Sequence, residues 1–543
     1  MSSYKVAGPK GWRINILSII IFAIFSLVFL RVFYISYIRH EELSETAKNQ
    51  YERAKDSQIS RGEILLKNND GKYIVAAGKE RVPYLYVIPR QTIDPEKTAS
   101  QISLILPDIS REDILKILSK KNDPFELISK NISEEKVSTV HDLNFPNIKI
   151  GYEEERSYPL GNFLSHVIGF LGFEGDKRIG QYGLEGFYDH LLKEDISIVL
   201  TIDSNIQSLI EASLNDLMKK WSAPSGTIIV EDPNTGAILG MVSSPSFNPK
   251  VYNKYELDRF INSATQEMFE PGSTFKGITM SAGIDTGKIS PLTQYEDSGI
   301  VVIGGYTIKN FDEKAYGAKT MTQVLEKSLN TGAVFVQNLL GNDTFLNYVV
   351  NFGFGKKTEI DLGGEAQGDV ANLYSGRKIN FATASFGQGI AVTPIQLINA
   401  YSAIANGGKL MRPYVVDEII YSDGQIKKTA PNIVGIPITE KTSAQLKAML
   451  VNVVENGFDK ARIPGYDIAA KTGTAQIPEA GGYSDKFVHD MIGFAPAFSP
   501  RFAILIKIDK PEGIRFAADS LSPTMKNITK FLLNYYNIPP TKQ

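Results

Sequence analysis

Glu270-Pro-Gly-Ser273-Thr-Phe-Lys276 sets a Pro-Gly turn directly before a helical pattern that carries Phe275, Ile278 and Ile284. A serine and a lysine three residues apart share one helix face. At that spacing a neutral lysine amine can take the hydroxyl proton, and the helix N-terminus favours the negative charge that develops on attack. An ordinary Ser/Lys pair at a helix start fits the same residues, because so short a pattern recurs by chance. Its meaning therefore depends on what else the chain carries.

Two further runs lie downstream. Ser328-Leu-Asn330 follows a short helical pattern ending at Lys327 and leads into Thr331-Gly332. A hydroxyl and an amide there can relay a proton and hold a substrate amide, or simply cap the helix. Lys471-Thr-Gly-Thr474 follows an extended run of small residues, Tyr466-Asp-Ile-Ala-Ala. A strand edge without bulk lets a peptide pair backbone to backbone. Lys471, Thr472 and Thr474 can bind a carboxylate, and Gly473 permits close approach. A turn-rich loop or a phosphate loop is the alternative, although the glycine spacing of a phosphate loop is missing before the lysine.

Composition narrows the remaining classes. At 543 residues, 43% hydrophobic and 22% charged, the chain is an ordinary globular sequence long enough for two or three domains. A formal net charge of -2 offers no basic field for phosphate backbones, so nucleic acid is not an expected partner. The absence of cysteine removes thiolate nucleophiles, cysteine zinc sites, iron–sulfur clusters and disulfides. No cofactor or metal is expected. His40, His141, His166, His190 and His489 all stand outside the three runs, and no Gly-x-Ser-x-Gly elbow occurs, which disfavours a Ser-His-Asp hydrolase.

Residues 14–30 form an uncharged, mostly apolar run that continues past Arg31 to Ile35, about enough helix to span a bilayer. It is long for a signal-peptide core and no small-residue cleavage site follows, so it reads as a retained anchor. Lys5, Lys10 and Arg13 precede it while Glu41, Glu42 and Glu45 follow, which predicts a cytoplasmic N-terminus and an extracytoplasmic bulk. The expected divisions are a tail at 1–13, a membrane helix at 14–38, a first folded region at 39–204, a second at 205–536 and a flexible tail at 537–543. Residues 40–56 read as a helical stalk, residues 60–77 as a hairpin around Asn68-Asn-Asp-Gly71, and residues 95–143 as amphipathic helices. Strand patterns at 226–242 and again at 491–508 flank a helical middle, which predicts an α+β domain with an antiparallel sheet.

Ser273 with Lys276, Ser328 with Asn330, and Lys471-Thr-Gly in this order are the combination of penicillin-binding proteins and serine β-lactamases. Over most of its length the chain resembles a class B penicillin-binding protein. Supporting residues are Arg61-Gly-Glu-Ile, Arg156-Ser-Tyr-Pro, Gly183-Leu-Glu185, Thr201-Ile-Asp203, Arg259-Phe-Ile-Asn262, Ser385-Phe-Gly-Gln-Gly389, Thr393-Pro394 and Ala405-Asn-Gly-Gly408. The resemblance implies a membrane helix, an elongated pedestal of the dimerisation type and a C-terminal transpeptidase domain with a central antiparallel sheet flanked by helices. It implies that Ser273 attacks the D-Ala-D-Ala carbonyl of a peptidoglycan stem peptide, with Lys276 as general base and Ser328 as proton relay. Asn330 would hold the substrate amide, while Lys471, Thr472 and Thr474 receive the terminal carboxylate and the Ser273 and Thr474 amides form the oxyanion hole. β-Lactam antibiotics would acylate the same serine. No glycosyltransferase module is recognisable, so a multi-pass membrane glycosyltransferase is the implied partner, at a bacterial plasma membrane.

Phe269-Glu-Pro-Gly-Ser-Thr-Phe-Lys and Ser385-Phe-Gly-Gln-Gly look closer to the septal type than to the elongation type. A membrane β-lactam sensor, a non-catalytic scaffold and a secreted β-lactamase are the competing readings; the anchor and pedestal pattern argue against the last. Three positions depart from the usual pattern: Ala470 and Glu359 stand where glycine is common, and Gly457-Phe-Asp replaces Gly-Thr-Gly. None removes a polar group from the three motifs.

Overall fold

The computed structural model describes residues 11–34, 61–67, 71–120, 123, 125–143, 145–479, 481–540 and 542. The expected stalk at 40–56, the charged flanks Lys5, Lys10, Glu41, Glu42 and Glu45, and residues 68–70 of the expected turn lie outside the described residues. Helix α1 (Gly11–Phe33) contains a 19-residue stretch, Asn15–Phe33, of mean hydropathy 2.7. Phe22, Phe25, Leu27 and Phe29 are exposed on it. A helix apolar on every side and unburied among the described residues suits lipid, and 19 residues rise about 28 Å, close to a bilayer's hydrocarbon thickness.

The chain clusters into two compact units, Met1–Ile59 with Arg81–Glu155, and Ser60–Glu80 with Arg156–Gln543. In the first, the helices Pro95–Ile105, Arg111–Leu118 and Glu134–Asp142 surround a small core of Leu85, Val87, Ile102, Ile114, Leu118 and Val140. Each helix begins at a side chain that accepts a backbone N–H, from Asp94, Ser110 and Ser133. Such caps satisfy amides that a helix start otherwise leaves unpaired.

In the second unit, three of the quoted runs converge. Glu185, fully buried, accepts from Arg61 Nε at 2.7 Å and from Arg156 Nε at 2.6 Å. Arg156 also donates to the Gly62 carbonyl at 2.8 Å and Arg61 to Asp189 at 2.9 Å. A buried carboxylate is tolerable because two guanidinium groups replace the water it lost. The strand Ser197–Asp203 lies between Ile64–Lys67, parallel to it, and Val416–Ile420, antiparallel to it.

The larger sheet of this unit contains β1 (Ser225–Glu231), β2 (Ile238–Ser244), β3 (Ala469–Glu479), β4 (Gly482–Ala495) and β5 (Phe502–Asp509). Its order is β3-β4-β5-β1-β2 with every neighbouring pair antiparallel, as the strand patterns predict. Helices α2 (Ser204–Trp221), α3 (Lys276–Asp285), α4 (Met321–Lys327), α5 (Asn330–Leu340), α6 (Pro394–Ala405) and α7 (Ala517–Tyr535) flank it. All twelve residues of α6 are buried, its apolar side chains together with Gln396, Asn399 and Ser402. β3 is an edge strand, so one of its sides is open for pairing.

Candidate active site

Ser273 stands in a short 3-10 turn, Gly272–Phe275, that runs directly into α3. The turn is held from two sides. The Tyr401 hydroxyl of α6 donates to the Thr274 carbonyl at 2.6 Å, and the Gly272 amide donates to the Gly387 carbonyl at 3.0 Å. Gly387 is required there because a Cβ would overlap the Gly272 backbone. This contact joins the Ser385-Phe-Gly-Gln-Gly389 run to the nucleophile turn.

Lys276 is fully buried one helical turn beyond Ser273. Its Nζ donates to Ser273 Oγ at 2.9 Å, to the Ser328 carbonyl at 2.6 Å and to Asn330 Oδ1 at 2.7 Å, with Ser328 Oγ at 3.3 Å. Lys471 reaches the same Ser328 Oγ at 3.0 Å from β3. The two lysines thus bracket one hydroxyl. Burial, and then repulsion from Lys471, hold the Lys276 amine well below its ordinary value. Burial brings Lys471 down to about 8, opposed by the charge of Asp490. Lys276, the more strongly lowered of the two, is the readier proton acceptor and Lys471 the readier cation, which divides the work between them.

Ser328 is the C-terminal cap of α4 and adopts the left-handed conformation at φ 58°. It breaks the helix between α4 and α5, and Asn330 opens the next one. The cap and the polar pair quoted from the sequence are the same residues. Asn330 Nδ2 donates to the Lys309 carbonyl at 2.9 Å, which fixes the amide with its oxygen toward Lys276.

On β3, Gly473 faces Asp490 across the ladder, and a Cβ there would overlap both the Asp490 carboxylate and the Pro271 carbonyl oxygen. Glycine therefore lets the strand approach the nucleophile turn. The Thr474 hydroxyl accepts from the Ala517 amide at the start of α7 at 3.0 Å, and Thr472 is half-buried on the same strand. Ser273, Asn330 and Thr474 line a cleft of about 320 Å³, together with Asn310, Phe311, Gln388, Phe487 and Arg515. Lys276 and Lys471 lie behind its wall, both almost without exposed surface.

Several members of this arrangement carry no motif. Asp490 and Tyr401 sit in runs that read only as strand and helix. Asp297 takes bonds from Thr331 Oγ1 at 2.7 Å and Asn310 Nδ2 at 2.9 Å, tying the segment beside the cleft to α5. Nothing in their spacing distinguishes them, because the partners come from distant parts of the chain.

The family model for the penicillin binding protein transpeptidase domain matches residues 226–530, and that for the penicillin-binding protein dimerisation domain matches residues 56–200. The chain belongs to the class B penicillin-binding protein family. It is 32% identical to Stage V sporulation protein D of Bacillus subtilis over 98% of this chain and 87% of that protein. It is 29% identical to the peptidoglycan D,D-transpeptidase FtsI of Escherichia coli, covering 77% of this chain and 73% of that protein. Among solved structures, penicillin binding protein 3 of Mycobacterium tuberculosis superposes with a TM-score of 0.66 at 29% identity, over 72% of this chain and 93% of that one. In this penicillin-binding protein the three motifs lie on α3 and its preceding turn, on the α4–α5 joint and on the sheet edge β3.

Proposed function

We propose that this protein crosslinks peptidoglycan through an acyl-enzyme on Ser273. The observation that carries this reading is the hydrogen-bonded chain from Ser273 Oγ to Lys276 Nζ, and from both lysines to Ser328 Oγ, at the mouth of a cleft beside an open strand edge. Ser273 Oγ adds to the carbonyl of the penultimate D-alanine as Lys276 takes its proton. The oxyanion is received by the Ser273 and Thr474 amides, where one such preorganised donor is worth roughly 3 to 4 kcal/mol. The C–N bond then breaks, and the proton passes through Ser328 to the departing D-alanine. A second strand's amine attacks the ester, forming the crosslink and restoring Ser273. Asn330 holds the donor's amide, while Lys471, Thr472 and Thr474 hold its carboxylate.

We infer further that α1 anchors the protein in the bacterial plasma membrane with the bulk outside. The role is septal, and a multi-pass glycosyltransferase supplies the glycan. The likeness of the Phe269–Lys276 and Ser385–Gly389 runs to septal enzymes supports the role. The divisions 39–204 and 205–536 are proposed as pedestal and transpeptidase domains. Intact-mass analysis of residues 40–543 with benzylpenicillin tests the nucleophile: one adduct is expected on the wild type and none on Ser273→Ala. An adduct of equal yield on both would overturn the assignment.

A further inference from the structure

Asp490 of β4 lies beneath the nucleophile turn. Its carboxylate is fully buried, and among the described residues neither oxygen accepts a hydrogen bond. The Thr274 hydroxyl nearby is turned instead to the Pro271 carbonyl at 2.7 Å. Gly473 pairs with Asp490 and Lys471 with Ile492, so the side chains of Asp490 and Lys471 stand on the same sheet face one pair apart. The absent Cβ of Gly473 leaves the space that the carboxylate fills.

Charged and titratable groups stand near Asp490 on β3, β5 and α6. Lys507 of β5 is its cross-strand partner, but that ammonium is held by Asp509 at 2.6 and 2.7 Å. Lys276 stands at the start of α3, and Tyr401 of α6 commits its hydroxyl to Thr274. Lys471 of β3 remains, bonded to Ser328 Oγ and to its neighbour's carbonyl, with Asp490 as the acid that acts on it. A carboxylate without a hydrogen bond in an interior is expensive and stays protonated up to about pH 7, so its charge acts from neutral pH upward.

We propose that Asp490 is a positioning residue that keeps Lys471 cationic, so that Lys471 can hold the substrate carboxylate. The proposal rests on the reading that Ser273 is acylated and that Lys471 receives a carboxylate. A negative group near an ammonium favours its charged form; removing it drops the lysine's pKa by about one unit or more. Lys471, already down at about 8, would then discharge within the working range of the enzyme.

The test is the pH profile of second-order acylation between about pH 6 and pH 10, by stopped flow, for wild type and Asp490→Asn. Benzylpenicillin and its methyl ester serve as paired probes. For the acid, the alkaline limb of the variant is expected to move down by about one pH unit, with about a tenfold loss on that limb. For the ester, which offers no carboxylate, variant and wild type should share one limb. Asp490→Ser removes the same charge with a smaller side chain, so a folding defect in one variant does not decide the matter. An unmoved limb in the presence of a normal Ser273 adduct overturns the role of Asp490 alone, as does an equal loss with acid and ester. No adduct on the wild type overturns the Ser273 reading and this inference with it.

Discussion

Glu359 holds φ 61°, a left-handed conformation that favours glycine, at a position where the family pattern has glycine. Its carbonyl accepts from Arg412 Nε at 2.8 Å, which keeps the backbone there despite a penalty of roughly 1 kcal/mol or more. Glu359→Gly should therefore raise stability by about 0.5 to 1 kcal/mol, read as a higher urea midpoint at unchanged slope. Ala470, the second departure, costs little because its cross-strand partner is Gly493, which has no side chain to meet the methyl. Asp490 carries a pH signature. Burial lifts its carboxyl to about 7, so between the unfolded value near 4 and pH 7 the folded state binds more protons than the unfolded, and stability falls as pH rises. Asp490→Asn should thus gain on the wild type by on the order of 3 kcal/mol between about pH 4.5 and pH 7.5, measured by denaturant titration at each pH. Ser273, Lys276 and Lys471 were legible in the sequence because their chemistry demands particular residue types at fixed offsets. Asp490 was not, since its role arises only when β4 is laid beside β3.

The strands and most helices could be read from periodicity and capping residues, as at Ser110, Ser133 and the capping boxes of Thr320 and Thr393. What periodicity could not give was convergence. Arg61, Arg156 and Glu185 are as much as 124 positions apart and meet in one buried ion cluster. Removing the acid leaves two guanidinium groups facing each other in the interior, so Glu185→Ala should cost about 3 to 5 kcal/mol, visible as a lowered midpoint of unfolding. The joint between α6 and the nucleophile turn offers a second check. Tyr401→Phe deletes the hydroxyl given to the Thr274 carbonyl and should lose about 1 kcal/mol of stability while slowing acylation severalfold. An acylation rate equal to wild type would show that the turn is held by its glycine contacts alone.

At the scale of the whole chain, α1 exposes apolar side chains on every face while the two compact units keep separate cores. Deleting residues 1–39 should leave benzylpenicillin acylation intact and abolish flotation with phospholipid vesicles, whereas the full chain floats. The order β3-β4-β5-β1-β2 sets the two earliest strands of this sheet beside three that are made more than two hundred residues later. During synthesis the turn bearing Ser273 emerges well before β3, so a ribosome-bound or prematurely terminated chain has a nucleophile but no Lys471 and no edge strand to dock a peptide. The sheet topology therefore acts as a proof of completion: β1 and β2 gain their three partners only once translation has passed residue 509.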